Sequence, residues 1–257
     1  MVNLSPLDYL VVLPFIFLAG LIDSIAGGGG LISLPAYVAA GLPIHNALAT
    51  NKFSSSFGTV FSTAKYLKAG VIDLPVAAIS AVFALLGSWL GTRTVLVVSS
   101  DFLHYLLLVL IPLVAVITLL KKDLGRYDRS HLLKRGYRFA LGSLAGLSIG
   151  FYDGFFGPGT GTFLIFIYTI IMHYDFMVAN GNTKVVNLAS NIAAVITFLI
   201  AGKVYFPLAI PGAAVGILGN VIGSKLVIDK GNKLIKPVFV LALLLLMGRV
   251  VFNILNR

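Results

Sequence analysis

The chain contains no cysteine, which excludes disulfides, thiolate metal centres and cysteine redox chemistry. Acidic side chains are scarce too, nine Asp and Glu against nineteen Lys and Arg, and charged residues of both signs make up 11% of the sequence. An ordinary soluble domain is about 25% charged and about 45–50% apolar, whereas this chain is 58% hydrophobic with a mean hydropathy of +1.00. A soluble fold of 257 residues could not hide so much apolar side chain. The first ten residues carry Asp8 but no Lys or Arg, so a cleaved signal peptide with a basic leading segment is not expected. A phosphate-loop pattern with Gly-Lys-Ser/Thr is missing, which argues against nucleotide-driven chemistry. With four scattered histidines and so few carboxylates, no enzymatic centre of clustered acid–base groups or metal ligands is expected, and no cofactor.

What the sequence does have is long apolar runs. Segments 102–120, 206–222 and 235–247 are nearly free of charge, and about 20 such residues suffice to cross about 30 Å of hydrocarbon as a helix. They predict an all-α integral membrane protein with the lipid bilayer as its solvent. The net charge of +10 would suit nucleic acid, but the cations sit mainly between apolar segments, where they report topology instead. No nucleic-acid partner is expected.

The chain also repeats itself. Gly20-Leu21-Ile22-Asp23, followed by Gly27 and Gly29, returns as Gly150-Phe151-Tyr152-Asp153, followed by Gly157 and Gly159, at an offset of 130. The offset then becomes 132 and holds: Asn51-Lys52 falls on Thr183-Lys184, Ala69-Gly70 on Ala201-Gly202, Pro75 on Pro207, Gly87 and Gly91 on Gly219 and Gly223, and Arg93 on Lys225. Chance matches of Gly and Ala do not explain a constant offset that includes charged residues and proline; duplication does. The expected organisation is a first transmembrane repeat over 1–120, a basic linker over 121–138 and a second repeat over 139–257.

Each repeat opens on an apolar stretch, about 7–41 and 139–173, interrupted by Gly27-Gly28-Gly29-Gly30 or by Gly157-Pro158-Gly159-Thr160-Gly161. Consecutive glycines do not sustain a helix at reasonable cost, so each stretch predicts two shorter helices joined at a break. Further spans are expected near 47–67, 74–98 and 102–120, and near 178–200, 206–228 and 234–255. Counting each broken stretch as a helix pair gives ten segments; continuous first helices would give eight. The linker carries seven cations, Lys121, Lys122, Arg126, Arg129, Lys134, Arg135 and Arg138, against Asp123 and Asp128. The positive-inside rule makes it cytoplasmic in a bacterial-type inner membrane, together with Lys65, Lys68, Lys225, Lys230, Lys233 and Lys236. Both groups fit if each broken stretch returns to the side it entered from. Both termini then lie outside and the two halves have inverted topology, an arrangement common among secondary transporters; Arg249 and Arg257 run against this reading.

Irregular backbone at membrane depth is tolerated where it is buried in protein or lines a wet cavity. The helix after each break presents unpaired N–H groups and the positive end of its dipole, a natural anion site; close packing through small residues is the alternative. The following helices are polar on one face, with Thr50, Asn51, Lys52, Ser54, Ser55, Ser56 and Thr59 in one, and Asn182, Thr183, Lys184, Asn187, Ser190 and Asn191 in the other. The expected substrate-binding residues are Gly28, Gly29, Gly30, Asn51, Lys52, Ser55, Gly159, Thr160, Gly161, Thr183, Lys184 and Asn187. Lys52 and Lys184 are the matched charge partners for an anion, unless they snorkel to the interface. Asp23 and Asp153 are matched carboxylates within the membrane, candidates for coupling transport to a proton or cation or for capping the second helix. The four histidines lie near predicted helix ends or in the linker and read as interfacial.

The stretch from Gly20 to Pro35, then Gly41-Leu42-Pro43 and 47–52, resembles the first-half signature of the TauE/SafE membrane transporters, and the stretch from Gly150 to Gly161 resembles the second. The resemblance spans nearly the whole chain. It implies transport of sulfite, organosulfonates or related sulfur-containing anions. A secondary carrier working by alternating access is expected, with a passive anion channel as the alternative and a homodimer as a plausible assembly for so small a chain.

Overall fold

A computed structural model of the chain describes residues 4–103, 105 and 127–231, and these are helical with short connections. In chain order the helices are α1 (Pro6–Ala26), α2 (Gly30–Ala39), α3 (Ile44–Lys68), α4 (Leu74–Val97), α5 (Arg135–Phe155), α6 (Thr160–Phe166, continued as a π-helical turn over Ile167–Ile171), α7 (Phe176–Ile200) and α8 (Phe206–Lys230). Among the described residues, α1, α4, α7 and α8 are long and apolar enough to cross a membrane. Helix α3 has the length, 25 residues, but carries the polar face expected of it. The expected span at 102–120, apart from its first residues, and that at 234–255 lie outside the described residues, as does 121–126 of the linker. Helix α5 begins at Arg135, so the last four residues of the expected linker are helical.

Helix boundaries follow local chemistry. Ser5 and Asp8 form a reciprocal capping box ahead of α1, with Pro6 in its first turn. Asp175 caps α7 by accepting from the Met177 and Val178 N–H groups, at 2.7 and 3.1 Å. Helices α3 and α7 are followed at matched positions by Gly70 and Gly202, whose φ angles of 69° and 64° are the left-handed conformation that ends helices. Both broken stretches break where expected. Helix α1 ends at Ala26 and α2 starts at Gly30, while α5 ends at Phe155 and α6 starts at Thr160.

The halves exchange partners. Helix α1 runs alongside and parallel to α8: Gly20 abuts Gly216, Gly219 abuts Phe17, and Gly223 abuts Leu21 and Ser24. Helix α5 runs alongside and parallel to α4 in the same manner, with Gly146 against Ser80, Gly150 against Ala84 and Gly154 against Ser88. A Cβ at Gly146 would lie 2.1 Å from the Ser80 carbonyl oxygen, so these helices approach to a distance that only glycine allows. Helices α3 and α7 pack on each other between the two pairs.

Polar contacts tie the two ends of the bundle. At one end, Arg138 Nη1 reaches Asp73 Oδ2 at 2.9 Å and Tyr174 Oη at 3.3 Å, joining the starts of α4 and α5 to the loop after α6. Burial, with the hydrogen bond to Asp73, pushes the Tyr174 phenol above its ordinary range, so it donates to Asp73 Oδ2 at 2.6 Å. The broken stretch α5–α6 therefore ends at the face where it began. Helices α1 and α2 likewise share a groove lined by Leu7, Asp8 and Val11 at the start of α1 and by Ala36, Ala39 and Ala40 at the end of α2. At the opposite end, His45 Nε2 bonds the Val95 and Val98 carbonyls that close α4, at 3.0 and 3.1 Å. Asn46 there donates to the Lys203 carbonyl at 2.9 Å. His45, His131 and His173 stand at helix ends and turns, as expected; His104 lies outside the described residues.

Candidate functional site

The two helix breaks touch. A Cβ placed on Gly27 would lie 2.5 Å from the carbonyl carbon of Gly161, and one on Gly161 would lie 2.7 Å from the Cα of Gly27. Gly27, Gly28, Gly157 and Gly159 all have φ between 72° and 97°, a region where a side chain is strained. Glycine is thus required twice over, for the turn of each break and for the approach of one break to the other. Gly29 belongs to the packing as well, since a Cβ there would meet the Ala19 carbonyl oxygen at 2.5 Å.

Two buried ion pairs cross between the halves. Lys52 Nζ on α3 lies 2.6 Å from Asp153 Oδ1 on α5 and donates to Asn191 Oδ1 on α7 at 3.1 Å. Lys184 Nζ on α7 lies 3.0 Å from Asp23 Oδ2 on α1 and also donates to the Asp23 main-chain carbonyl. Each lysine of one half is therefore bonded to the carboxylate of the other. Side-chain exposure is 5% for Lys52, 2% for Asp153, 0% for Lys184 and 15% for Asp23, so neither lysine snorkels. The carboxylates differ in their other partners. Ser190 Oγ donates to Asp153 Oδ2, while Asp23 Oδ1 accepts from the Gly29 N–H at 3.4 Å and so caps the start of α2.

A cavity of about 50 Å³ opens where the breaks and the polar faces of α3 and α7 converge. Gly28, Gly29, Gly30, Asn51, Lys52, Ser55, Gly159, Thr160, Gly161, Asn187, Asp23 and Asp153 line it. Thr183 and Lys184 do not: the ammonium of Lys184 is committed to Asp23, and the buried Oγ1 of Thr183 has no hydrogen-bond partner among the described residues. Lys52 and Lys184 match in position and in the polarity of their helices, yet the packing sets them apart. Ser33, Ser54, Asn191 and Asn220 also line the cavity. Ser33 Oγ donates to Asn51 Oδ1 at 2.6 Å and fixes that amide. Asn220 is the least expected of these, although a lone amide in the apolar α8 was itself a signal. Its Nδ2 donates to the Gly216 carbonyl at 3.0 Å, and its Oδ1 has no partner among the described residues.

Chemically, the site offers one ammonium with several hydroxyls and amides, beside a carboxylate that already holds the ammonium. The expected row of unpaired N–H groups at the start of α2 is largely taken up, since Leu31, Ile32 and Ser33 donate to the Gly28 and Gly29 carbonyls and Gly29 to Asp23. Such a set binds small anions by charge-assisted hydrogen bonds. Among the described residues, no group of three or more His, Cys, Asp or Glu comes together.

A family model described as sulfite exporter TauE/SafE matches residues 12–250. The chain is 34% identical over 249 residues to "Probable membrane transporter protein YfcA" of Escherichia coli (strain K12), covering 97% of this chain and 91% of that one. It is 38% identical over 229 residues to "Probable membrane transporter protein ORF9" of Sinorhizobium sp, covering 88% and 85%. It is 32% identical over 237 residues to "Probable membrane transporter protein" of Haemophilus influenzae, covering 92% of each. No solved structure matches the chain.

Proposed function

The chain belongs to the sulfite exporter TauE/SafE family of multi-pass membrane transporters, and from that premise we propose that it is a secondary carrier of small anions working by alternating access. The observation that carries the reading is the cavity at the meeting of the two helix breaks, bounded by the Lys52 ammonium and by glycine backbone. Lys52 is the charge partner of the anion. Asn51, Ser55, Asn187 and the backbone of Gly28 to Gly30 and Gly159 to Gly161 supply hydrogen bonds. Ligand pockets for drug-sized molecules run to about 300–1,000 Å³, so a cavity of about 50 Å³ suits a compact anion. Sulfite, a small sulfonate or a related sulfur oxyanion is the proposed class.

The carrier is read as two halves of inverted topology. Support comes from the helix directions: α1 runs parallel to α8 and α5 parallel to α4, while α4 starts beside Arg138 and α8 starts near the first turns of α3, at the opposite end. The broken stretches then enter from opposite faces and meet at Gly27 and Gly161. Lys134 and Arg135 adjoin the Arg138 end, as do the ends of α3 and α8 with Lys65, Lys68, Lys225 and Lys230; by the positive-inside rule this face is cytoplasmic in an inner membrane.

The test is ligand-induced thermal stabilisation of the purified protein with sulfite, sulfate, thiosulfate, taurine, isethionate and simple carboxylates. A ligand that binds the folded state stabilises it, so a rise in Tm with a sulfur oxyanion or sulfonate is expected. Lys52→Met is expected to weaken that ligand's binding by about 1–3 kcal/mol, the scale of hydrogen bonds to charged groups. Unchanged affinity in this variant would remove Lys52 from the site. In vesicles, flux that saturates and shows counterflow is expected; unsaturated flux without counterflow would mean a channel.

A further inference from the structure

The two ion pairs occupy matched positions in the repeats but are not equivalent in space. We infer that Asp153 takes up one proton when an anion binds at Lys52, while Asp23 and Lys184 stay paired and hold α1 to α7. The inference rests on the carrier reading above and deepens it.

The difference lies in what each pair touches. Both members of the Lys52–Asp153 pair line the cavity, whereas Lys184 does not. An anion entering the cavity therefore meets the ammonium that Asp153 holds at 2.6 Å. Two negative charges would then share one ammonium inside the membrane, and like charges a few ångström apart in a poorly solvated site repel strongly. Before binding, ammonium and carboxylate sum to zero. With a monoanion bound and a proton on Asp153, ammonium and anion again sum to zero; the O–H bond formed on the carboxyl replaces the bond broken in the solvent or buffer acid that gives up the proton. The geometry suits this exchange. Ser190 Oγ already donates to Asp153 Oδ2, so Oδ1, released by Lys52, is the oxygen that takes the proton. The side-chain amide oxygen of Asn191, which accepts from Lys52 at 3.1 Å, remains a partner for the ammonium when Asp153 lets go.

Among the described residues, no other group at this place takes that part. Asp23 faces Asp153 across the cavity from α1, but its Oδ2 is held by Lys184 and its Oδ1 by the Gly29 N–H. Tyr152 on α5 itself donates its phenol to the Pro158 carbonyl. Helices α4, α6 and α7 contribute Thr92, Thr160, Ser190 and Asn191, which carry no charge.

The experiment is isothermal titration of the purified full-length protein with methanesulfonate, a monoanion that does not titrate near neutral pH, in two buffers of different ionisation heat at the same pH. The wild type is expected to take up one proton per anion bound, with affinity falling about tenfold per unit rise in pH over the range in which that full uptake is measured, by linkage. Asp153→Asn is expected to abolish the uptake. Should that variant not fold, Asp153→Glu, which keeps a carboxylate for the Lys52 ammonium, gives the complementary measurement: a changed pH profile of the uptake supports Asp153, and an unchanged profile overturns the assignment. Buffer-independent heats in the wild type, or full uptake in Asp153→Asn, would also overturn it. Absence of any binding heat in the wild type would overturn the anion site beneath it, a separable result.

Discussion

Lys184 has 0% of its side chain exposed and its ammonium bonds the side chain and main chain of Asp23. Removing one member of a buried ion pair leaves a charge without its counterpart, at about 3–5 kcal/mol, whereas neutralising both costs far less. Lys184→Met is therefore expected to lower Tm sharply, and the double variant Asp23→Asn/Lys184→Met to recover most of the loss. Equal losses in the single and double variants would show that the pair is not an energetic unit. Gly157 gives a second test. A Cβ there would sit 3.2 Å from Lys52 Nζ and 3.3 Å from Asp153 Oδ1, on a backbone with φ of 97°. Gly157→Ala is expected to impair anion binding more than folding, measured by comparing Kd with Tm.

Elements depend on glycine for different reasons at different places, and alanine substitutions separate them. Gly136 in the first turn of α5 has an ordinary helical backbone and nothing within 4 Å of an added Cβ. Gly136→Ala is expected to stabilise by about 0.5–1 kcal/mol, the entropic cost of a helical glycine. Gly146, one helix face further along, meets the Ser80 carbonyl oxygen at 2.1 Å, so Gly146→Ala forces α5 away from α4 and is expected to destabilise by about 1–3 kcal/mol. Thermal unfolding of the two variants in detergent checks both signs at once. Gly27→Ala and Gly161→Ala are expected to separate the two breaks and to reduce transport together, because each glycine fills the space that the other leaves.

At the scale of the whole molecule, the proposed topology has a cytoplasmic face at Arg138 and an outer face at the α7–α8 connection. The native chain has no cysteine, so single cysteines can be placed without background. In intact cells, Lys203→Cys is expected to react with an impermeant maleimide, and Lys134→Cys only after the membrane is opened. Labelling of both from the same side would disprove the assignment of the two faces.

The sequence by itself pointed to the membrane as solvent, to the helices on either side of each glycine break and to an internal repeat. Apolar runs of bilayer length are local signals, legible because the physics that sets them is local too, and the repeat shows as a constant offset along the chain. The breaks at Gly27 to Gly30 and Gly157 to Gly161 were legible for the same reason, and so was the polarity of α3 and α7. The partners were decided by tertiary structure alone. Matched positions put Lys52 beside Lys184 in role and Asp23 beside Asp153, yet the packing of α1 on α8 and α4 on α5 pairs each lysine with the carboxylate of the opposite half. It also leaves Lys52 at the cavity and Lys184 behind it. A repeat makes two halves alike in sequence; only their meeting in one interior, where each buried charge must find an opposite one, makes their residues different.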